Sequence, residues 1–94
     1  LGVGGAPHST FEEAKSTGEV LGAAAIKAKG MGMDTYYHNH TEEFEDLMDG
    51  KNAMDIISGE GCGLELDTYW SFCAGIDNTE YLKENKDKIL LVHI

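Results

Sequence analysis

Basic residues are scarce in this chain: seven stand against seventeen acidic ones, for a formal charge of -10. Nucleic acid and anionic membranes both select for lysine and arginine, so this balance argues against either as a partner, and any phosphate must be held by local groups. Long apolar runs are missing too. None approaches the roughly 18 consecutive residues that a membrane span requires. Cysteine is limited to Cys62 and Cys73, at a spacing that fits no zinc pattern. With no secretory leader to be read at the start, free buried thiols in a reducing, cytoplasmic setting are expected. No hairpin signal is read between apolar segments, and there is neither an internal repeat nor a low-complexity stretch.

What is present fits one small α/β unit. Ninety-four residues, 41% of them hydrophobic, allow one domain at most with a modest core. The chain opens on Leu1 and stops inside the apolar run Val92-His93-Ile94, so residues 1–94 are expected to be part of something longer. Residues 1–5 read as the end of a buried strand leading into a loop at Ala6-Pro7-His8. Ser9 with Glu12 forms a capping-box pattern, and Phe11, Ala14, Val20, Leu21, Ala24, Ala25 and Ala28 give an irregular helical stripe. Gly18 and Gly22 weaken that helix by roughly 1 kcal/mol each relative to alanine, and Gly30 and Gly32 end it. A strand is expected over 34–40. A short helix over 51–60 turns Met54, Ile56 and Ile57 inward, and a further strand covers 63–69. Asp77-Asn78 caps a helix reaching about residue 85, with Tyr81 and Leu82 as contacts, and residues 89–94 (ILLVHI) read as a strand buried on both faces. Strands alternating with helices imply a parallel sheet with right-handed crossovers. The pattern alone does not separate an open sheet from a barrel.

Ionisable residues gather at the carboxyl ends of the last three strands. His38 and His40 are two apart and share one side of a strand, as do Glu65 and Asp67, and His93 stands near the end of the last run. If these strands are adjacent and parallel, their ends form one rim, where α/β folds keep their active sites. Imidazole mixed with carboxylate suits Mn²⁺, Zn²⁺, Fe²⁺ or Co²⁺ better than Ca²⁺. Such an ion can acidify a C–H beside a sugar carbonyl, with a neighbouring Glu or His taking the proton. Each residue also has a plain reading. A single histidine is commonly just hydrogen-bonded; Glu42, Glu43, Glu45 and Asp46 are equally the acidic start of a solvated helix. Asp67 can be a cap or turn residue, Glu65 can pair with a basic group, and Trp70 can be packing. Gly2-Val3-Gly4-Gly5 is a weak phosphate-loop match and reads better as a tight turn after a strand.

In order and at these distances, several motifs together resemble the sugar phosphate isomerase/epimerase branch of the xylose isomerase-like TIM barrels. They are Tyr37-His38-Asn39-His40 with Glu43-Phe44, then GLELDTYW (63–70), AGID (74–77) and LLVHI (90–94). The likeness runs from residue 9 to the end. It implies a parallel (β/α) barrel of which about four βα units are present, whereas a full barrel takes ~250 residues. It further implies a divalent metal (Mn, Zn, Co or Mg) held by Asp67 and His93, with His38 where many relatives have a Glu. His40 and Glu43 would face the substrate, Glu43 as the base. Trp70, where some relatives place a His, would form an apolar wall or sugar-stacking surface.

The implied activity is isomerisation or epimerisation of a sugar, keto-sugar or sugar phosphate, by proton abstraction next to a carbonyl and an enediolate intermediate. Alternatives are a lyase or dehydratase acting on a keto-inositol or 3-keto-glycoside, and a non-catalytic barrel fragment. Two features depart from the family pattern. The first and last strands, the latter carrying a further Glu, are not seen, and Gly18 and Gly22 interrupt a helix that relatives fill with better helix formers. The expected partners are a small carbohydrate and, to cover the sheet edges, a second copy or the rest of the barrel.

Overall fold

Two-residue alternation along residues 63–67 sets the architecture. In a computed structural model describing residues 1–94, Leu64 and Leu66 are fully buried while Glu65 between them is only half-buried. The strand therefore turns its leucines to a core and its acids to the other face. Four strands build the sheet: β1 (Gly2–Gly4), β2 (Tyr36–His38), β3 (Gly63–Asp67) and β4 (Ile89–His93). They pair in sequence order and all are parallel. Parallel neighbours need helical crossovers. These are α1 (Phe11–Gly30), α2 (Ala53–Ser58), and the pair α3 (Thr68–Cys73) and α4 (Asn78–Glu84). No helix is long and apolar enough to cross a membrane.

The core lies on one side of the sheet. Ala14 and Leu21 of α1 meet Met54, Ile56 and Ile57 of α2 over Tyr37 and Leu64. Gly18 and Gly22 explain themselves at this contact. A Cβ on Gly18 would stand 3.1 Å from the Ile57 backbone, and one on Gly22 would collide with the Glu60 carbonyl oxygen. The two glycines cut a groove into α1 that lets α2, at Gly18, and the turn after it, at Gly22, approach backbone to backbone. Helix propensity is given up for that closeness.

Several boundaries differ from the sequence expectation, each for a local reason. The cap of α1 is Thr10, whose Oγ1 accepts from the Glu13 N–H at 3.1 Å, while the Glu13 carboxylate accepts from the Ser9 N–H at 3.1 Å. The cap thus lies one residue beyond Ser9, and the Glu13 carboxylate bonds the residue before the cap instead of closing a capping box. Val20, expected in the apolar stripe, is 66% exposed. The strand expected over 63–69 stops at Asp67, because its carboxylate caps α3 by accepting from the backbone N–H groups of Tyr69 and Trp70. The acidic run at 42–46 starts no regular helix; Glu42–Phe44 is a single 3-10 turn with Glu43 fully buried. A hairpin-type turn is present after all: Asp49 and Gly50 both have positive φ (51° and 80°) and close an antiparallel bridge between Met48 and Lys51. Strand β4 is not buried on both faces, since Leu90, Leu91 and Val92 are each 44–46% exposed. Of the two thiols, Cys62 is buried, which pushes its pKa up, and Cys73 is exposed.

The groove makes a prediction. Gly22→Ala gains about 1 kcal/mol of helix propensity but overpacks a backbone contact, a fault that costs about 1–3 kcal/mol. Its urea midpoint should fall below wild type. Gly30→Ala, with open space around the added methyl, should raise it; the reverse ranking by circular dichroism would contradict the close-approach account.

Candidate metal and substrate site

The sheet register brings the ionisable residues together. His38 is the partner of Glu65 across β2 and β3, and Asp67 is the partner of His93 across β3 and β4. All four stand on the face away from the core. His38 Nδ1 lies 3.1 Å from Glu65 Oε1 and its Nε2 lies 2.9 Å from Asp67 Oδ2; His93 Nδ1 reaches the same oxygen at 3.1 Å. One carboxylate oxygen is thus bracketed by two imidazoles.

Asp67 is held from every side. Its Oδ1 caps α3, as above. Its backbone N–H donates to Asn39 Oδ1 at 2.8 Å, and Asn39 Nδ2 donates back to the Asp67 carbonyl at 3.3 Å. Strand β2 ends at His38, so the Asn39 side chain supplies the next rung of the ladder that backbone would otherwise provide. Burial by itself would push the Asp67 carboxyl up. The hydrogen bond from His38, the Trp70 and Tyr69 N–H groups and the neighbouring His93 outweigh it and hold the pKa below the ordinary value.

Around this cluster stand two more side chains. The His40 ring, half exposed, lies 5.8 Å from the His38 ring and 6.0 Å from the Trp70 ring. Glu43 is elsewhere. It is fully buried, with Oε2 accepting from the Tyr37 hydroxyl at 2.8 Å and Oε1 from the His40 N–H at 2.7 Å. Its carboxylate also faces His40 Nδ1 at 3.9 Å. Of the residues expected to form the site, His38, Asp67 and His93 meet, His40 and Trp70 border them, and Glu43 lies beneath His40 rather than on the open face.

The donor atoms suit an ion. One nitrogen or oxygen from each of His38, Asp67 and His93 falls within 4.8 Å of the others. Metal bonds of ~2.0–2.2 Å place neighbouring ligand atoms about 3.0–3.5 Å apart, so the 2.9 and 3.1 Å contacts at Asp67 need little adjustment. Were His38 to ligate an ion through Nε2, its Nδ1 would donate to Glu65, the arrangement in which a carboxylate orients a metal-binding imidazole. Two residues escaped sequence reasoning in these roles. Glu65 was legible as sharing a face with Asp67, but its hold on His38 depended on register. Asn39 carried no signal beyond being polar on the core-facing side of a strand.

Four parallel strands in sequence order, crossed over by helices, form a partial open sheet that matches a fragment of a TIM barrel. Two solved structures share this arrangement, both of a sugar phosphate isomerase/epimerase from Parabacteroides distasonis ATCC 8503. One superimposes with a TM-score of 0.78 at 23% identity, covering 92% of this chain and 34% of that one. The other gives 0.77 at 27% identity, covering 92% and 36%. The chain therefore spans about a third of the length of these neighbours. No protein-family model matches it, and no curated protein is significantly similar to it.

The Tyr37–Glu43 pair predicts an alkaline response. Burial, the hydrogen bond to Glu43 and that residue's charge raise the Tyr37 pKa above its ordinary 10.0, and burial raises Tyr81 likewise. A raised folded-state pKa contributes stability that is whole below the unfolded value and lost as pH climbs past it. Unfolding midpoints should drop above about pH 10. Tyr37→Phe should cost about 1–3 kcal/mol at pH 7, by leaving Glu43 short of a donor, and should flatten that alkaline drop. An equally steep drop in the variant would contradict the assignment.

Proposed function

We propose that this chain contributes the metal-holding strands of an isomerase or epimerase acting on a sugar, keto-sugar or sugar phosphate by proton abstraction next to a carbonyl. The observation that carries the reading is the convergence of His38, Asp67 and His93 on one face at the carboxyl ends of adjacent parallel strands. The likeness to the two isomerase/epimerase structures supports it. The three residues would hold a divalent cation, Mn, Zn, Co or Mg. When bound, such an ion polarises a carbonyl and an adjacent hydroxyl, so the C–H between them becomes acidic.

The chain's own residues divide the remaining work. Glu65 orients His38, and Asn39 with the first turn of α3 fixes Asp67. His40 and Trp70 face the substrate. Glu43 acts as a positioning residue, holding the His40 backbone and standing behind its ring. His40 and Glu65 line one cavity with His38 and are the groups of this chain placed to take a substrate proton. Edge strands β1 and β4 would be covered by further barrel strands, from the same polypeptide or a second copy, and the setting would be cytoplasmic.

Cobalt provides the test. Titrated with Co²⁺, the protein should take up one equivalent and develop visible d–d absorption. His38→Ala and Asp67→Ala should abolish it, and Glu65→Gln should weaken binding by roughly 10- to 100-fold, the usual loss for an orienting partner. No uptake by wild type would leave a barrel-type sheet without a metal function. In metal-loaded protein, deuterium entering a ketose from solvent with no leaving group lost marks an isomerase or epimerase; release of water or an aglycone reassigns it as a lyase.

A further inference from the structure

Arginine is absent from the chain, and its seven basic residues are all lysines. None of them lines either cavity beside His40. Lys15 and Lys29 pair with Glu60 and Asp34, and Lys29 and Lys88 border a cleft with Thr35 and Gly63, at the opposite end of the strands from Asp67. Near His40 the ionisable groups are different. On one side a cavity of about 410 Å³ is lined by His8, Ser9, Glu42 and Glu45; on the other, one of about 340 Å³ is lined by His38 and Glu65. The Trp70 ring, 37% exposed, lies 6.0 Å from the His40 ring that both cavities share, with Tyr69 edge-on at 4.9 Å.

Phosphate is usually received by cationic side chains or by free N–H groups at a helix start. Of the segment leading into α1, only His8 and Ser9 line this cavity, so the N–H groups of the first helical turn do not face it. The Ser9 and Glu13 N–H groups are taken by the Glu13 carboxylate and the Thr10 hydroxyl. A phosphate ester there would meet Glu42 and Glu45 with no ammonium to offset them, and like charges brought together oppose binding. A sugar hydroxyl can donate to those carboxylates, and a sugar C–H face is matched by an indole.

We infer that, over the part of the site built by this chain, the substrate is an unphosphorylated sugar that rests on Trp70 beside His40. The inference builds on the sugar-isomerase reading and narrows its substrate class. Trp70 is the only tryptophan, so its emission reports occupancy directly. Zinc-loaded protein would be titrated with D-fructose, D-xylulose and D-ribulose, each against its phosphate monoester, with inorganic phosphate as control. At least one free ketose should change the emission at a concentration at least tenfold below its ester, and inorganic phosphate should have no effect. Glu42→Gln combined with Glu45→Gln should narrow that ratio. Tighter binding of the esters, a ratio unmoved by the double variant, or no response to any free ketose would each overturn the inference. Cobalt uptake is scored separately, so any of these results can occur with the metal reading intact, and absent uptake removes that reading whatever Trp70 reports.

Discussion

One carboxylate organises this molecule. Asp67 ends β3, caps α3 with Oδ1, and gathers His38 and His93 around Oδ2, while Asn39 clamps its backbone. Strand end, helix start and ionisable cluster are therefore one structural event. An aspartate suits the position because its short side chain accepts backbone N–H groups two and three residues ahead and still leaves a second oxygen to face the neighbouring strands. Glutamate would move that oxygen outward by a methylene, and asparagine would present an amide to one of the imidazoles.

The two faces of the sheet divide stability from chemistry. Apolar contact is concentrated where α1 and α2 cover Tyr37 and Leu64, and the glycine groove of α1 brings α2 in closely. The opposite face carries His38, Glu65, Asp67 and His93, all pointing away from that core. Because successive residues of a strand alternate, a shift of register by one residue would bury the ionisable groups and expose the leucines together. The energetic cost of such a slip, several buried charges at once, ties the site's geometry to the packing that lies behind it.

Much of this was legible in the residues. A parallel sheet with helical crossovers follows from apolar runs alternating with helical stripes, and once the strands are adjacent the rim follows from His38, Asp67 and His93 sitting late in them. What escaped was local and competitive. A strand reading of 63–69 was reasonable on residue type, but the capping power of Asp67 won and α3 began at Thr68. Ser9 was read as the cap of α1, whereas Thr10, one residue on, takes that place by accepting from the Glu13 N–H. Glu43 read either as one member of a solvated acidic run or, by resemblance, as a base facing the substrate, whereas folding encloses it between Tyr37 and His40. Gly18 and Gly22 looked like weaknesses because helix propensity is a local quantity and the contact they serve, with α2 and the turn after it, is not.

The burial of Glu43 bears on how the site keeps its shape. A carboxylate sealed from water is costly unless its oxygens are satisfied, and here the Tyr37 hydroxyl and the His40 N–H satisfy one oxygen each. Tyr37 is itself a core residue of β2, fully buried between the sheet and its helices. The chain of contacts therefore runs from the core, through Tyr37 and Glu43, to the loop that carries His40 past the end of β2. That loop has no strand partner of its own beyond Asn39, so without the buried acid its backbone would be free to drift from His38 and Trp70. Placing the carboxylate below the imidazole gives the loop a fixed attachment.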